Sequence, residues 1–462
     1  MKLIILCAIA LGLSCVVGQE IGFREGFEFS EEEGFHLEQF SNLIDHFDPA
    51  DERTYKQRFW YDANGFDFEN GPIFLYICGE YECGVNEARQ FPVEVAKEHN
   101  AIFIYLEHRF YGDSHPFSNL ATDNLKYLTA RHALADIAVF LTHVNDKIVS
   151  EHKGEKRKII VVGGSYPGAL SAWFRMKYPH IADASWASSA VINAVENMDL
   201  FDWQIYESSN RSSDTCTRAI QGLNLEYDKR IQNKDKKGVK EIKDLFGASA
   251  MHDGDFAFYF IDIIVGKIQY GSRTELCTFL ESISELSVID QYRQIATHYN
   301  DPVDEKNSYD RNKLKDPTIV VSSSGRAWTY QYCTEFGFFQ TPYPDIHTRS
   351  DTIQRKYWDD RCIAVFGKDA IAQARETNIH FGALSLRSSN IFFTNGGEDP
   401  WRWVGVTASD ESMNKISRVL QCENCGHCVE LYNETSEDSD ELKAVRSEIK
   451  EWIDIILYGH LK

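Results

Sequence analysis

The sequence predicts an α/β protein: a mostly parallel sheet covered by helices on both faces, interrupted by a long helical insertion. Three observations carry this. Short, almost unbroken apolar runs alternate with helix-period segments through the first part of the chain. One such run, Ile159-Ile160-Val161-Val162, passes through Gly163-Gly164-Ser165-Tyr166-Pro167-Gly168 into the helix-forming stretch Ala169-Leu170-Ser171-Ala172-Trp173-Phe174-Arg175-Met176. The alternation then stops over residues 196–378, which are mostly helical and charged, and strand character returns at Asn390. Strands buried on both faces read as continuous apolar runs, whereas half-exposed strands alternate.

In chain order, residues 1–18 carry Lys2, an apolar run from Leu3 to Leu13 and small residues before Gln19, the pattern of a secretory signal peptide cleaved after Gly18. The run is shorter than the roughly 20 residues that span a bilayer, so no membrane anchor is expected. Residues 19–195 form the first part of the core. Gln57-Arg58-Phe59-Trp60-Tyr61, Pro72-Ile73-Phe74-Leu75-Tyr76-Ile77 and Ala101-Ile102-Phe103-Ile104-Tyr105-Leu106 are strands, with helix at 90–97. Leu134, Ile137, Ala138, Leu141 and Val144 share one helix face, and a short strand is expected at 181–187. Residues 196–378 are assigned to a cap, expected to roof the carboxyl edge of the sheet with both its ends emerging there. Residues 379–462 complete the core with strands at 390–396 and 416–421. The closing helix is lined by Leu442, Val445, Ile449, Trp452, Ile453 and Ile456.

The 462 residues are 43% hydrophobic and 13% aromatic, enough for one large core and a second element of domain size. Seventy acidic against 48 basic residues leave a net charge of −22, which argues against nucleic acid or an anionic membrane as partner. Two of the 11 cysteines, Cys7 and Cys15, lie in the signal segment, leaving nine. On a secretory route these predict disulfides and at least one unpaired thiol. Asn210-Arg211-Ser212 and Asn433-Glu434-Thr435 are N-glycosylation sequons. A secreted or lysosomal location follows, and a homodimer is left open.

Ser165 sits at a strand-to-helix bend, the layout of a nucleophile elbow, which lifts a hydroxyl clear and aims backbone N–H groups at an oxyanion. The match to G-x-S-x-G is imperfect, because Pro167 stands where glycine belongs and Gly168 falls one position late. Ligands of a parallel sheet bind beyond the carboxyl ends of its strands, so residues just after strands are the candidates for chemistry. Asp399 follows the Asn390 strand and His427 follows the last one. The chain order Ser165, Asp399, His427 is that of an α/β-hydrolase triad of nucleophile, carboxylate and base. Glu398 is a rival carboxylate. Cys422, Cys425 and Cys428 around His427 also have the spacing of zinc ligands, although disulfides are the commoner use in a secreted chain. The favoured reading calls for no metal and no cofactor.

These residues, with Glu107-His108-Arg109-Phe110-Tyr111-Gly112, Trp173-Phe174-Arg175, Ala187-Ser188-Ser189-Ala190, Tyr330-Gln331, Cys333-Thr334-Glu335 and Asp399-Pro400-Trp401, resemble one serine peptidase family along nearly the whole chain after residue 18. It is the family of lysosomal Pro-X carboxypeptidase, dipeptidyl peptidase II and thymus-specific serine protease. Thr334-Glu335-Phe336-Gly337 and His427-Cys428 look most like the thymus-specific branch. The resemblance implies an α/β-hydrolase core with an inserted helical cap domain and the same three catalytic residues. It further implies oxyanion N–H groups at Tyr166 and near Gly79, and a disulfide between Cys333 and Cys362, with Cys216–Cys277 as a further pair. Trp401, directly after Asp399-Pro400, is expected to wall the pocket at the scissile bond, with core packing beside Trp403 as its alternative role. The function expected is a serine exopeptidase acting on short peptides, at proline in its characterised relatives, by carboxypeptidase or dipeptidyl-peptidase action. The alternatives are a catalytically weak peptide-binding protein of the same fold and an esterase.

Overall fold

A computed structural model describes residues 29–85, 89–152, 154–299 and 306–459, so the expected signal segment 1–18 lies outside the described residues. Eight strands form one sheet in the order β1-β2-β4-β3-β5-β6-β7-β8. They are β1 His36–Leu43, β2 Thr54–Asp62, β3 Ile73–Ile77, β4 Ile102–Leu106, β5 Ile159–Gly164, β6 Ala184–Ser188, β7 Ile391–Gly396 and β8 Lys415–Leu420. β1 with β2 and β2 with β4 pair antiparallel, and every other pair is parallel. The core helices are α1 Phe91–Glu98, α2 Thr122–Leu125, α3 Ala130–His152 and α4 Tyr166–Lys177. Between β6 and β7 run α5 Asp199–Ser212, α6 Asp214–Gln232, α7 Lys236–Leu245, α8 Asp253–Gln269, α9 Arg273–Ser282, α10 Val288–His298, α11 Gly325–Gln331, α12 Arg355–Phe366 and α13 Ala374–Phe381, and α14 Asp440–Tyr458 closes the chain.

Successive side chains of a strand point to opposite faces, and both faces are covered here. Ile73, Leu75, Ile102, Ile104 and Val161 pack with Leu134, Ile137 and Leu141 of α3 and Leu170 and Phe174 of α4. Phe74, Tyr76, Phe103, Ile160 and Val162 pack with Val93 and Val95 of α1 and Ile449, Trp452 and Ile453 of α14. That two-sided burial is why β3, β4 and β5 are wholly apolar until the glycines end β5. The architecture is an α/β-hydrolase core.

Two features depart from expectation. β1 carries no apolar run, since it is an edge strand with only Phe40 and Asn42 buried, and its pairing with β2 defines it. The β6–β7 insertion also does not have both ends at the carboxyl edge. β6 and β7 are parallel neighbours, Ser185 facing Ile391, so the chain leaves at one edge and re-enters at the other. The return runs beside α4, where Phe381 stacks on Trp173 at 4.1 Å.

Directly after β4, Arg109 is fully buried and donates from Nε and Nη2 to the two carboxylate oxygens of Asp136 at 2.6 and 2.7 Å. Its remaining N–H groups reach the carbonyls of Leu43, Ile44 and Tyr127, and Tyr55 OH also donates to Asp136. Burial opposes ionisation of Asp136, but Arg109 and His46 outweigh it and hold the carboxyl at about 2. Removing one partner of such a pair strands a buried charge. Asp136→Ala should therefore lower the unfolding free energy by about 3–5 kcal/mol, read by urea denaturation.

Candidate active site

Ser165 adopts φ 65° and ψ −126° between β5 and α4, a conformation that L-residues avoid. It is held there by close packing. The Ser165 N–H donates to the Ser188 carbonyl at 2.9 Å. A Cβ on Gly163 would overlap the Pro167 carbonyl, and one on Gly168 would lie 2.5 Å from the Ser188 carbonyl. Gly168 thus supplies the close approach of α4 to β6, one position later than in G-x-S-x-G. Pro167 lies in the first turn of α4, where its missing N–H breaks no helical hydrogen bond. Its ring packs against Gly79, where a Cβ would come within 2.6 Å of Pro167 Cγ. Tyr166, the first residue of α4, carries a backbone N–H without an intrahelical acceptor.

Asp399 and His427, which follow different strands, meet in the fold. His427 Nδ1 lies 2.7 Å from Asp399 Oδ2, with the pair 3% and 0% exposed. The other oxygen, Oδ1, accepts the Trp401 N–H at 2.9 Å. His427 Nε2 is buried with no hydrogen-bond partner among the described residues. Burial disfavours the imidazolium, but the Asp399 carboxylate, with the adjacent Cys428 sulfur, more than compensates and holds the His427 pKa well above its ordinary value. The rival Glu398 is engaged elsewhere, accepting from Arg273 Nε at 2.7 Å, from Arg211 Nη1 and from the Asn424 N–H.

Ser165 lines a cleft of about 310 Å³ together with Glu80, Asp262, Tyr270, Trp328 and Trp401. Trp401 meets Phe201 and Phe338 edge-on at 5.1 and 5.5 Å, and its ring centroid is 6.5 Å from that of His427. Trp403 lies apart, partly exposed, and donates to Gln204. Tyr270, at the end of α8, sits edge-on to His427 at 6.0 Å.

Disulfides join Cys78 to Cys83, Cys216 to Cys277, Cys333 to Cys362 and Cys422 to Cys425. The last removes two sulfurs from the zinc alternative. No group of three or more candidate ligands is placed to hold a metal ion among the described residues. Among the described residues Cys428 is the free thiol, buried beside Gly164 of the elbow, with its N–H donating to Ser189 Oγ at 2.9 Å. Asn210 and Asn433 are both exposed. No described helix is long and apolar enough to cross a membrane.

Sequence reasoning noted the motif after β4 but assigned its residues no task. The structure brings them beneath the elbow. His108 Nδ1 lies 2.7 Å from the Arg109 carbonyl, which makes Nδ1 the donor and leaves Nε2 to accept from Tyr166 OH at 3.0 Å. Burial lowers the His108 pKa to about 4, so the ring is neutral. Gln331 completes the arrangement, donating to Tyr166 OH at 3.0 Å and accepting from Tyr111 OH at 2.6 Å. The available signal was the bunching of polar residues directly behind an apolar strand.

A serine in a left-handed elbow and a buried histidine–aspartate pair on an α/β-hydrolase core are the parts that a serine hydrolase uses. The family follows from comparison: the model of the serine carboxypeptidase S28 family matches residues 42–449, and the chain belongs to that family of serine peptidases. It is 36% identical over 399 residues to a probable serine protease, EDA2, of Arabidopsis thaliana, covering 84% of this chain and 79% of that protein. It is 27% identical to the human thymus-specific serine protease, covering 91% and 87% of the two chains. Among solved structures, proline iminopeptidase of Mycobacterium smegmatis aligns with a TM-score of 0.36 at 10% identity, covering 91% of this chain and 99% of that one.

Glu335 lies close to the same network, both its oxygens accepting the Ala130 N–H. Burial raises its carboxyl from 4.5 to about 8. The folded state therefore holds a proton that the unfolded chain has released over this interval. The stability so contributed is complete below about pH 4.5 and is lost as pH rises to about 8. Thermal midpoints measured across this range should decline less in Glu335→Gln than in the wild type.

Proposed function

We propose that the protein is a secreted or lysosomal exopeptidase in which Ser165 is the nucleophile, His427 the general base and Asp399 the group that orients and stabilises the imidazolium. The observation that carries this reading is the Asp399–His427 contact of 2.7 Å, which leaves Nε2 unpartnered among the described residues, while the next residue, Cys428, packs its Sγ on Gly164 directly before the Ser165 elbow. Nε2 takes the Ser165 proton as Oγ attacks the scissile carbonyl, and the backbone N–H groups of Tyr166 and Gly79 receive the oxyanion. The peptide C–N bond then breaks, His427 returns the proton to the leaving amine, and an ester joins the acyl part to Oγ. Water activated by His427 hydrolyses that ester and restores the serine.

Two features support short peptides as substrates. The cleft is walled by Phe258, Asp262 and Tyr270 of α8 and its C-cap, and by Trp328 of α11, so the helical insertion, proposed as the cap over residues 196–378, roofs Ser165 and favours chain ends over folded proteins. Trp401 offers an aromatic surface beside His427, which suits a proline ring at the scissile bond. The four disulfides accord with an oxidising compartment, where Asn210 and Asn433 would carry glycans.

A fluorophosphonate should label the purified protein, and Ser165→Ala should abolish the label; absence of labelling between pH 5 and pH 8 would overturn the triad. Peptides should be cleaved in preference to matched esters of other acids, which separates the reading from a general esterase. The base form of His427 grows as pH rises through its elevated pKa, so kcat/KM should climb with pH on the acid limb, above 6.5. In Asp399→Asn the maximal rate should fall by roughly 10⁴-fold, and the limb should move to lower pH because the carboxylate that favours the imidazolium is gone. A limb that stays in place would assign it to another group.

A further inference from the structure

Among the described residues lining the cleft at Ser165, only Glu80 and Asp262 carry a formal charge, and both are acidic. Asp262 has a counter-charge: Tyr309 OH donates to Oδ2 at 3.1 Å, and although Oδ1, like Glu80 Oε2, accepts no hydrogen bond among the described residues, the Arg349 guanidinium lies 3.6 Å from it. Glu80 differs. Its Oε2 is closed off from solvent and meets no hydrogen-bond donor among the described residues. The Cys78–Cys83 disulfide pins the turn that carries it, and it directly follows Gly79, which packs on the elbow proline. Burial pushes the Glu80 carboxyl up, and its own backbone N–H, His427 and Arg89 offset this only in part. Arg89 itself lies over the Tyr432 ring and donates to Tyr432 OH. A desolvated carboxylate without a counter-ion is costly, and buried charges are normally paired.

We infer that the free α-ammonium of a peptide supplies the partner Glu80 lacks, so that the enzyme cuts short units from the amino end of its substrates. The inference rests on the exopeptidase reading and deepens it. An ammonium brings up to three donors and a positive charge to an oxygen that has neither, and its arrival favours the ionised carboxylate. A free C-terminal carboxylate would meet the reverse, because no Lys or Arg is among the described lining residues and the charges there repel it. The acyl half of the substrate, which stays on Ser165 after the first step, then carries the recognised amine.

The test uses the full-length protein and one tetrapeptide in three forms: free at both ends, N-acetylated, and C-amidated. The free amine should raise kcat/KM about 10- to 100-fold over the acetylated form, the range for a hydrogen bond to a charged group. Amidation should change it less than about threefold, and the first product should come from the amino end by mass spectrometry. Glu80→Gln should bring free and acetylated forms within about threefold of each other, with its thermal midpoint reporting that the fold is kept. Equal rates for free and acetylated peptide in the wild type, or a loss on amidation, would overturn the inference while leaving the triad intact. Should fluorophosphonate fail to label Ser165, calorimetric affinities of the Ser165→Ala protein for the same three peptides decide the amine question alone, tighter binding of the free amine supporting it and parity overturning it.

Discussion

The site depends on one backbone conformation, the left-handed turn at Ser165. A non-glycine residue in a sparsely populated region of this kind costs about 1–3 kcal/mol and persists only where its surroundings over-determine it. Here they do so from three sides. The Ser188 carbonyl takes the Ser165 N–H, two glycines allow strand β5 and helix α4 to close on each other and on β6, and Pro167 wedges against Gly79. The departure from the usual glycine spacing is thereby explained. What the turn requires is room at Gly163 and Gly168, while position 167 has a neighbour without a side chain and can hold a ring.

Beneath the turn, buried polar groups fix the elements that carry it. Glu107 accepts from Arg58 and Ser114, Arg109 grips Asp136 on α3, and neutral His108 takes the Tyr166 hydroxyl that Gln331 also reaches from the insertion. Each group would be expensive to bury alone and is satisfied here by a partner distant in sequence. The network ties β2, the β4 loop, α3, α4 and α11 to one another, so the helical insertion is connected to the elbow by hydrogen bonds as well as by apolar contact.

The adjacent carboxylates Glu398 and Asp399 show how local surroundings divide chemistry from structure. Asp399 faces an imidazole and a backbone N–H, whereas Glu398 faces two guanidinium groups and closes the start of the cysteine-bearing loop. Their neighbour in that loop, Cys428, is left unpaired because Cys422 and Cys425 bond to each other. Glu80, which lines the same cleft as Ser165, has neither fate.

The linear sequence by itself determined the layered α/β core, the bend at Ser165 and the chain order of the triad candidates, because burial on two faces writes continuous apolar runs and the bend needs glycines at short range. It could not define β1, whose edge position removes the apolar signal, nor the route of the insertion back to the amino edge, which follows from the parallel pairing of β6 with β7. It favoured Asp399 over Glu398 without showing what either carboxylate meets, and it could not pair all nine cysteines or assign tasks to His108, Gln331 and Glu80. Each of those depends on which atoms come within about 3 Å across tens to hundreds of residues. Only the tertiary structure decides such contacts, since hydrogen bonds and ion pairs are set by distance and direction in space, whereas the signals of helix and strand repeat within a few residues of chain.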